Sequence, residues 1–154
     1  NLGNFPASIV LILDMTKSFL PILYAKYFFP DPQGLEVISA LGALTGHCWP
    51  IFAKFRGGRG VATGWGSLFI LSPITGIIAG TIGVPIMIAY KFVSLGSIIG
   101  ATSGCISMML LSIIRYHSFE YLWYALVGNI IVVYKHKENI QRLLEGTERK
   151  IGKA

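Results

Sequence analysis

The sequence predicts an all-α protein, a multi-pass transmembrane helical bundle of six spans that ends in a short amphipathic helix on the cytoplasmic side. Three observations predict it. The 154 residues are 53% hydrophobic and only 13% charged, about half the charge of an ordinary globular domain. Long apolar runs alternate with short turn-forming stretches, at the lengths membrane passes require. The lysines and arginines gather in a few places between those runs, as they do along one side of a membrane protein. Residues 1–154 read as one membrane-embedded domain.

The first span, residues 5–29, is broken by Asp14 and Lys17. Charges inside a membrane are costly and suggest function by default, but the i, i+3 spacing favours a self-satisfied ion pair. PDPQG at 30–34 is turn chemistry. The second span, 35–53, carries Gly42 and Gly46 at the four-residue spacing that lets helices approach closely. Residues 61–90 are almost uncharged. As one helix they would run about 45 Å, too long for a hydrocarbon core of about 30 Å, and Ser72-Pro73 divides them into two short passes. Residues 92–114 and 119–134 complete the six. The chain after Tyr134 is highly charged, and its Ile140, Leu143 and Leu144 form an apolar stripe suited to a helix lying at the interface.

Charge decides the division of 61–90. With a hairpin there, the 54–59 loop, Lys91 and the C-terminal tail share a side that holds ten of the thirteen cations, and Lys26 and Arg115 fall on the other. A single pass would scatter them. The positive-inside bias then places that side, and the C-terminus, in the cytoplasm of a cell-membrane protein. Cys48 and Cys105 are too few and too far apart for a disulfide framework or a zinc site and read as apolar filler. No signal peptide, metal, cofactor or nucleic-acid partner is expected.

The segment GHCWPIFAKFRGGRGVAT, residues 46–63, joins the second and third spans. Gly57, Gly58 and Gly60 would let backbone amides turn toward a ligand, and a helix starting near Val61 would present its N-terminal amides to the same spot. Arg56 and Arg59 add forked donors suited to phosphate. The blander reading is that these cations only mark the inner leaflet and touch headgroups, and the glycines of GGRG argue against it. His47, a lone histidine at a helix end, is usually structural; in a site beside cations it would serve as a neutral hydrogen-bond donor. His136, Asn139 and Leu143 fall near one helical face, and Asn139 and Arg142 can turn back toward the loop. By charge alone, Glu138, Glu145 and Glu148 read as solvated partners of nearby cations. A small transporter or channel subunit for an organic anion is the alternative; the lack of an internal repeat and the gathering of polar groups at one face weigh against it.

Four stretches resemble one family. GHCWPIFAKFRGGRGVATGWGSLFILSP is similar to the central motif of the bacterial acyl-phosphate:glycerol-3-phosphate acyltransferases, roughly G-H-x-aromatic-P followed by F-x-G-G-K-G-V-A-T. KFVSLGSIIGA looks like the segment that follows, HKENIQRLLEGTERKIG like the C-terminal motif, and LILDMTKS like an L-L-D-x-x-K-G stretch. The resemblance covers essentially the whole chain. It implies an integral membrane enzyme with a cytoplasmic site that moves a fatty acyl group from acyl phosphate to the 1-hydroxyl of glycerol 3-phosphate, giving lysophosphatidic acid and phosphate, the first step of phospholipid synthesis. Membrane lipids and the soluble phosphate acyltransferase that makes the donor are the implied partners. It implies catalytic roles for His47, Arg59 and Asn139, and substrate binding by Arg56, Gly57, Gly58, Gly60, Thr63, His136, Arg142 and Glu148. Direct attack by the substrate hydroxyl is the expected mechanism, since the donor is already activated and no Ser/His/Asp arrangement is readable. Two departures stand out. Arg59 replaces the family's lysine in G-G-K-G. The family's first span and its G-S-G-N-x-G-A-T-N loop precede the region matched here, so the chain is expected to be N-terminally incomplete.

Overall fold

A computed structural model describes residues 4–152. Seven α-helices follow in order: α1 Asn4–Phe28, α2 Gln33–Cys48, α3 Val61–Leu71, α4 Pro73–Tyr90, α5 Val93–Ile113, α6 Tyr121–Lys135 and α7 Lys137–Leu144, with a 3-10 turn at Ile51–Ala53. Six apolar helices therefore stand where six spans were expected, and no strand occurs among the described residues. Their lengths are uneven, as the division of 61–90 into short passes implies. Gln33–Ala53, Pro73–Tyr90 and Val93–Ile113 are long and apolar enough to cross a membrane. α3 has 11 residues, about 16 Å of helix and roughly half a hydrocarbon core. α6, with 15, is also short.

The breaks follow from local chemistry. Pro30 and Pro32 end α1 and begin the turn into α2. Ser72 is extended, and Pro73 opens α4 at the position where its missing N–H costs nothing. Lys91 adopts the left-handed conformation to close α4 (φ 60°). The α4–α5 hairpin packs backbone on backbone: a Cβ on Gly83 would lie 2.7 Å from the Gly96 carbonyl oxygen and 3.0 Å from Gly100 Cα. Without side chains there, the helices approach closely enough for dispersion to hold them in lipid. Ile22, Ala40, Met108 and Tyr124 form the buried centre shared by α1, α2, α5 and α6.

The bundle has two unlike ends. At one, Tyr121 donates to the buried Glu36 carboxylate, and Ser72 pairs with His117 Nε2 at 2.7 Å. At the other, the Ile151 amide donates to the Lys91 carbonyl at 2.7 Å, and Lys135 Nζ donates to the Cys48 carbonyl at 2.9 Å. The glycine loop, the Lys91 turn and the tail thus meet, as the hairpin reading of 61–90 requires. α7 turns apolar Leu144 outward and its polar residues inward. Leu144 is 85% exposed, whereas His136 and Asn139 are 1% and 2% exposed. Its packed side is polar because it closes over a polar cleft.

Candidate functional site

The loop between α2 and α3 is shaped by close contacts as much as by glycine's freedom. After the 3-10 turn, Lys54 (φ 51°) and Phe55 (φ 61°) take the left-handed conformation, and the Phe55 amide returns to the Pro50 carbonyl at 3.0 Å. Left-handed non-glycine residues each cost on the order of 1–3 kcal/mol, so the surrounding turn holds them. Gly57 and Gly58 have ordinary φ and are required by space: a Cβ on Gly57 would lie 2.1 Å from the His47 carbonyl oxygen, and one on Gly58 2.2 Å from His47 Nε2. Gly60 (φ 78°) opens α3. The Gly58 amide donates to the His47 carbonyl at 3.2 Å and is not available to a ligand, unlike the expectation for that amide. Among the described residues, the amides of Gly57, Arg59 and Gly60 take no main-chain acceptor.

Beside the loop lies a cleft of about 450 Å³ lined by Arg59, Val93, Ser94, Asn139, Arg142, Glu148, Arg149, Lys150 and Ile151. Glu148 organises it. Its carboxylate accepts Ser94 Oγ at 2.6 Å, Asn139 Nδ2 at 2.7 Å and Arg142 Nε at 2.8 Å. Burial alone would push this carboxyl up, but the three bonds and the Arg142 charge together hold it down at about 2, against an ordinary 4.5. Solvation was the wrong expectation for Glu148, since its side chain is 8% exposed. Asn139 Oδ1 is buried without a partner among the described residues. His136 Nδ1 donates to the Val132 carbonyl at 2.8 Å, which leaves a lone pair on Nε2 of the neutral ring. Desolvation chiefly lowers its pKa and the nearby Arg59 adds to that, while the Val132 bond and Glu148 oppose. His136 is therefore a neutral acceptor near neutral pH.

An apolar groove of about 240 Å³ adjoins the cleft. Val61, Trp65, Leu68, Met87, Ala101, Tyr124 and Val132 line it, with Gly64, Gly80, Gly100 and Gly128 supplying room. Val93 belongs to both cavities, so one continuous surface passes from guanidinium to hydrocarbon.

The structure brings Arg59, Asn139, Arg142 and Glu148 to one cleft, with His136 buried against it. The other candidates lie off its lining. Arg56, Gly57 and Gly58 are exposed on the loop, and Gly60 is buried at the start of α3. Thr63 is fully buried and donates to the Asp14 carbonyl at 3.1 Å. His47 lies beneath the loop. Ser94, Arg149 and Lys150 were not foreseen. The sequence signal for Ser94 was its place three residues after Lys91, on the cation-rich side.

Comparison with known proteins follows the same lines. A family model described as glycerol-3-phosphate acyltransferase matches residues 1–146. A glycerol-3-phosphate acyltransferase of Thermoanaerobacter sp. strain X514 is 38% identical over 151 residues, which are 98% of this chain and 73% of the relative. One of Desulforamulus reducens is 40% identical over 152 residues, 98% of this chain and 73% of the relative. The crystal structure of PlsY (YgiH), an integral membrane glycerol 3-phosphate acyltransferase, in its glycerol 3-phosphate form, superposes with a TM-score of 0.88 at 33% identity, covering 98% of this chain and 74% of that one. Its lysophosphatidic acid form gives 0.84 at 33% identity, over 94% and 72%.

Proposed function

The chain belongs to the glycerol-3-phosphate acyltransferase family, an integral membrane enzyme that transfers an acyl group to glycerol 3-phosphate, and on that premise we propose that its donor is an acyl phosphate held across the cleft and groove. The observation that carries this reading is the residue the two cavities share. Val93 stands where a phosphate gripped by Arg59 would continue into a hydrocarbon tail lying along the groove. A soluble acyl thioester would need a docking surface for a large carrier; an acyl phosphate needs only cations and oil.

The chemistry is direct transfer. The 1-hydroxyl of glycerol 3-phosphate attacks the acyl carbonyl carbon, forming the ester C–O bond and breaking the bond from that carbon to the phosphate oxygen. The hydroxyl proton leaves with the departing phosphate, so no enzyme nucleophile enters; Cys48 and Cys105 are buried and line no part of the polar cleft, Cys105 lying along the apolar groove. Arg59 and the amides of Gly57 and Gly60 hold the donor phosphate and stabilise the charge that grows on it. Arg142, with Arg56 at the rim, attracts glycerol 3-phosphate. Asn139 Oδ1 and His136 Nε2 are acceptors that orient the hydroxyl. His47 supports the loop, and Thr63 fixes the start of α3. The positive end faces the cytoplasm of the cell membrane, where a soluble acyl-phosphate-forming enzyme would deliver the donor.

The test uses purified protein in detergent with labelled glycerol 3-phosphate. Palmitoyl phosphate should give lysophosphatidate and equimolar phosphate, and palmitoyl-CoA should give none. Transfer from the thioester alone would overturn the donor assignment.

A further inference from the structure

We infer that Asp14 is a positioning residue for the reaction, clamping the glycine loop from both of its flanks. The inference rests on the loop being the phosphate-holding element proposed above. Asp14 sits mid-way along α1, in another helix from the loop, and none of its atoms lines the cleft. Its carboxylate oxygen Oδ1 is 3.5 Å from His47 Nδ1, on the residue chain that leads into the loop. Its carbonyl accepts Thr63 Oγ1 at 3.1 Å, on the first turn of the helix that leaves the loop. One residue of α1 therefore touches both sides of the 48–62 excursion.

The side-chain half of the clamp acts through the imidazole. A carboxylate beside Nδ1 favours the tautomer with the proton on Nδ1, and Nε2 then carries the lone pair. That edge of the ring lies against Gly58, where a Cβ would come within 2.2 Å of Nε2. The ring is thus the floor on which Gly58 rests, and turning it would lift that residue and with it the neighbouring Arg59. Lys17 Nζ, 62% exposed, donates to the same Asp14 oxygen at 2.8 Å, so that oxygen faces both the ammonium and the ring. The ion pair expected from the i, i+3 spacing is real, but it is only one of the contacts the aspartate makes.

The test has two arms. The first needs no turnover: in uniformly folded wild-type protein with 15N-labelled histidine, His47 should show the Nδ1–H tautomer, and the Nε2–H tautomer overturns the inference. A wild-type protein without acyl-phosphate activity would sink the donor assignment and leave this arm intact. The second is kinetic. Asp14→Asn should raise KM for one of the two phosphorylated substrates by roughly tenfold, with kcat within about twofold, the scale of a sub-ångström misplacement. Asp14→Asn combined with His47→Gln should cost no more than the worse single change, because both act through one ring. Asp14→Glu, which keeps the charge, should recover KM to within about threefold of wild type. Unchanged KM values in Asp14→Asn, strictly additive effects, or a Glu variant as impaired as the Asn variant would each overturn the inference.

Discussion

Glu148→Gln separates the tail's attachment from the stability of the bundle. The carboxylate accepts three hydrogen bonds, from Ser94, Asn139 and Arg142. Bonds to a charged group contribute about 1.5–3 kcal/mol and neutral ones about 1 kcal/mol. A glutamine keeps an acceptor for Ser94 or Asn139 but turns those bonds neutral, and it sets an NH₂ against the Arg142 Nε–H. The expected loss is about 3 kcal/mol. The depressed pKa expresses the same three bonds in another form: holding the carboxyl at about 2 against 4.5 corresponds to about 3 kcal/mol for a side chain only 8% exposed. That is roughly a hundredfold in the population of released tail. Hydrogen exchange reads it directly, because the Ile151 amide donates to the Lys91 carbonyl. Its protection should fall about a hundredfold in Glu148→Gln while amides of α4 and α5 keep theirs. The pH dependence has a fixed sign. The folded-state pKa lies below the released-state value, so the latch is at full strength above about pH 5 and is lost progressively as pH falls toward 2. Wild-type Ile151 should lose protection across that window, and the glutamine variant should show no such loss. Equal protection in both proteins at pH 7 would refute the latch.

The remaining outcomes follow from single contacts. Arg59→Ala should lower acyl transfer more than about a hundredfold, and Arg59→Lys should restore it to within about tenfold, since charge is kept while the fork is lost; equal activity in Ala and wild type would remove Arg59 from the site. Gly58→Ala forces a methyl to within 2.2 Å of the His47 ring. It should cost about 1–3 kcal/mol of stability and raise a substrate KM, read by thermal unfolding and kinetics together; a neutral outcome would show that the loop does not rest on that ring. At Gly128 a Cβ would meet nothing nearer than Tyr124 at 3.5 Å, so a methyl fits while occupying the apolar groove. Gly128→Ala should leave the melting temperature within about 2 °C and lower transfer of the longest acyl chains roughly tenfold relative to shorter ones; an unchanged chain-length profile would place the tail elsewhere.

Much of the fold was legible because membrane length and charge bias are one-dimensional signals. The division at Ser72-Pro73, the six apolar helices and the meeting of the glycine loop with the tail all follow from counting apolar residues and cations along the chain. What was not legible was three-dimensional. The loop before α3 turns through left-handed Lys54 and Phe55, and neither residue type announces that conformation. In α7, hydrophobic spacing says which side of the helix is apolar, but not that a polar cleft claims the other side. In the site, Arg59, Asn139 and Arg142 were found from chemistry and motif. Charge alone read Glu148 as solvated, because an acid among lysines usually is, while the resemblance put it among the substrate-binding residues; its three bonded partners, one of them 54 residues away, show it as the centre of the cleft.

The composition of the cleft explains why an acid belongs among its cations at all. Arg59, Arg142, Arg149 and Lys150 face it with Glu148 as the acid among them. Four cations without a carboxylate would repel one another and splay the tail away from the bundle before any substrate arrived. Glu148 fixes Arg142 through Nε, which leaves the outer guanidinium nitrogens free of that bond and able to face a phosphate. The same carboxylate fixes the Asn139 amide through Nδ2, so the amide oxygen is the atom left over. One side chain thus sets the orientation of two others and determines which of their atoms remain unpaired. Replacing it with any neutral group removes that choice even where the volume is kept, which is why the glutamine variant, and not an alanine, is the informative one.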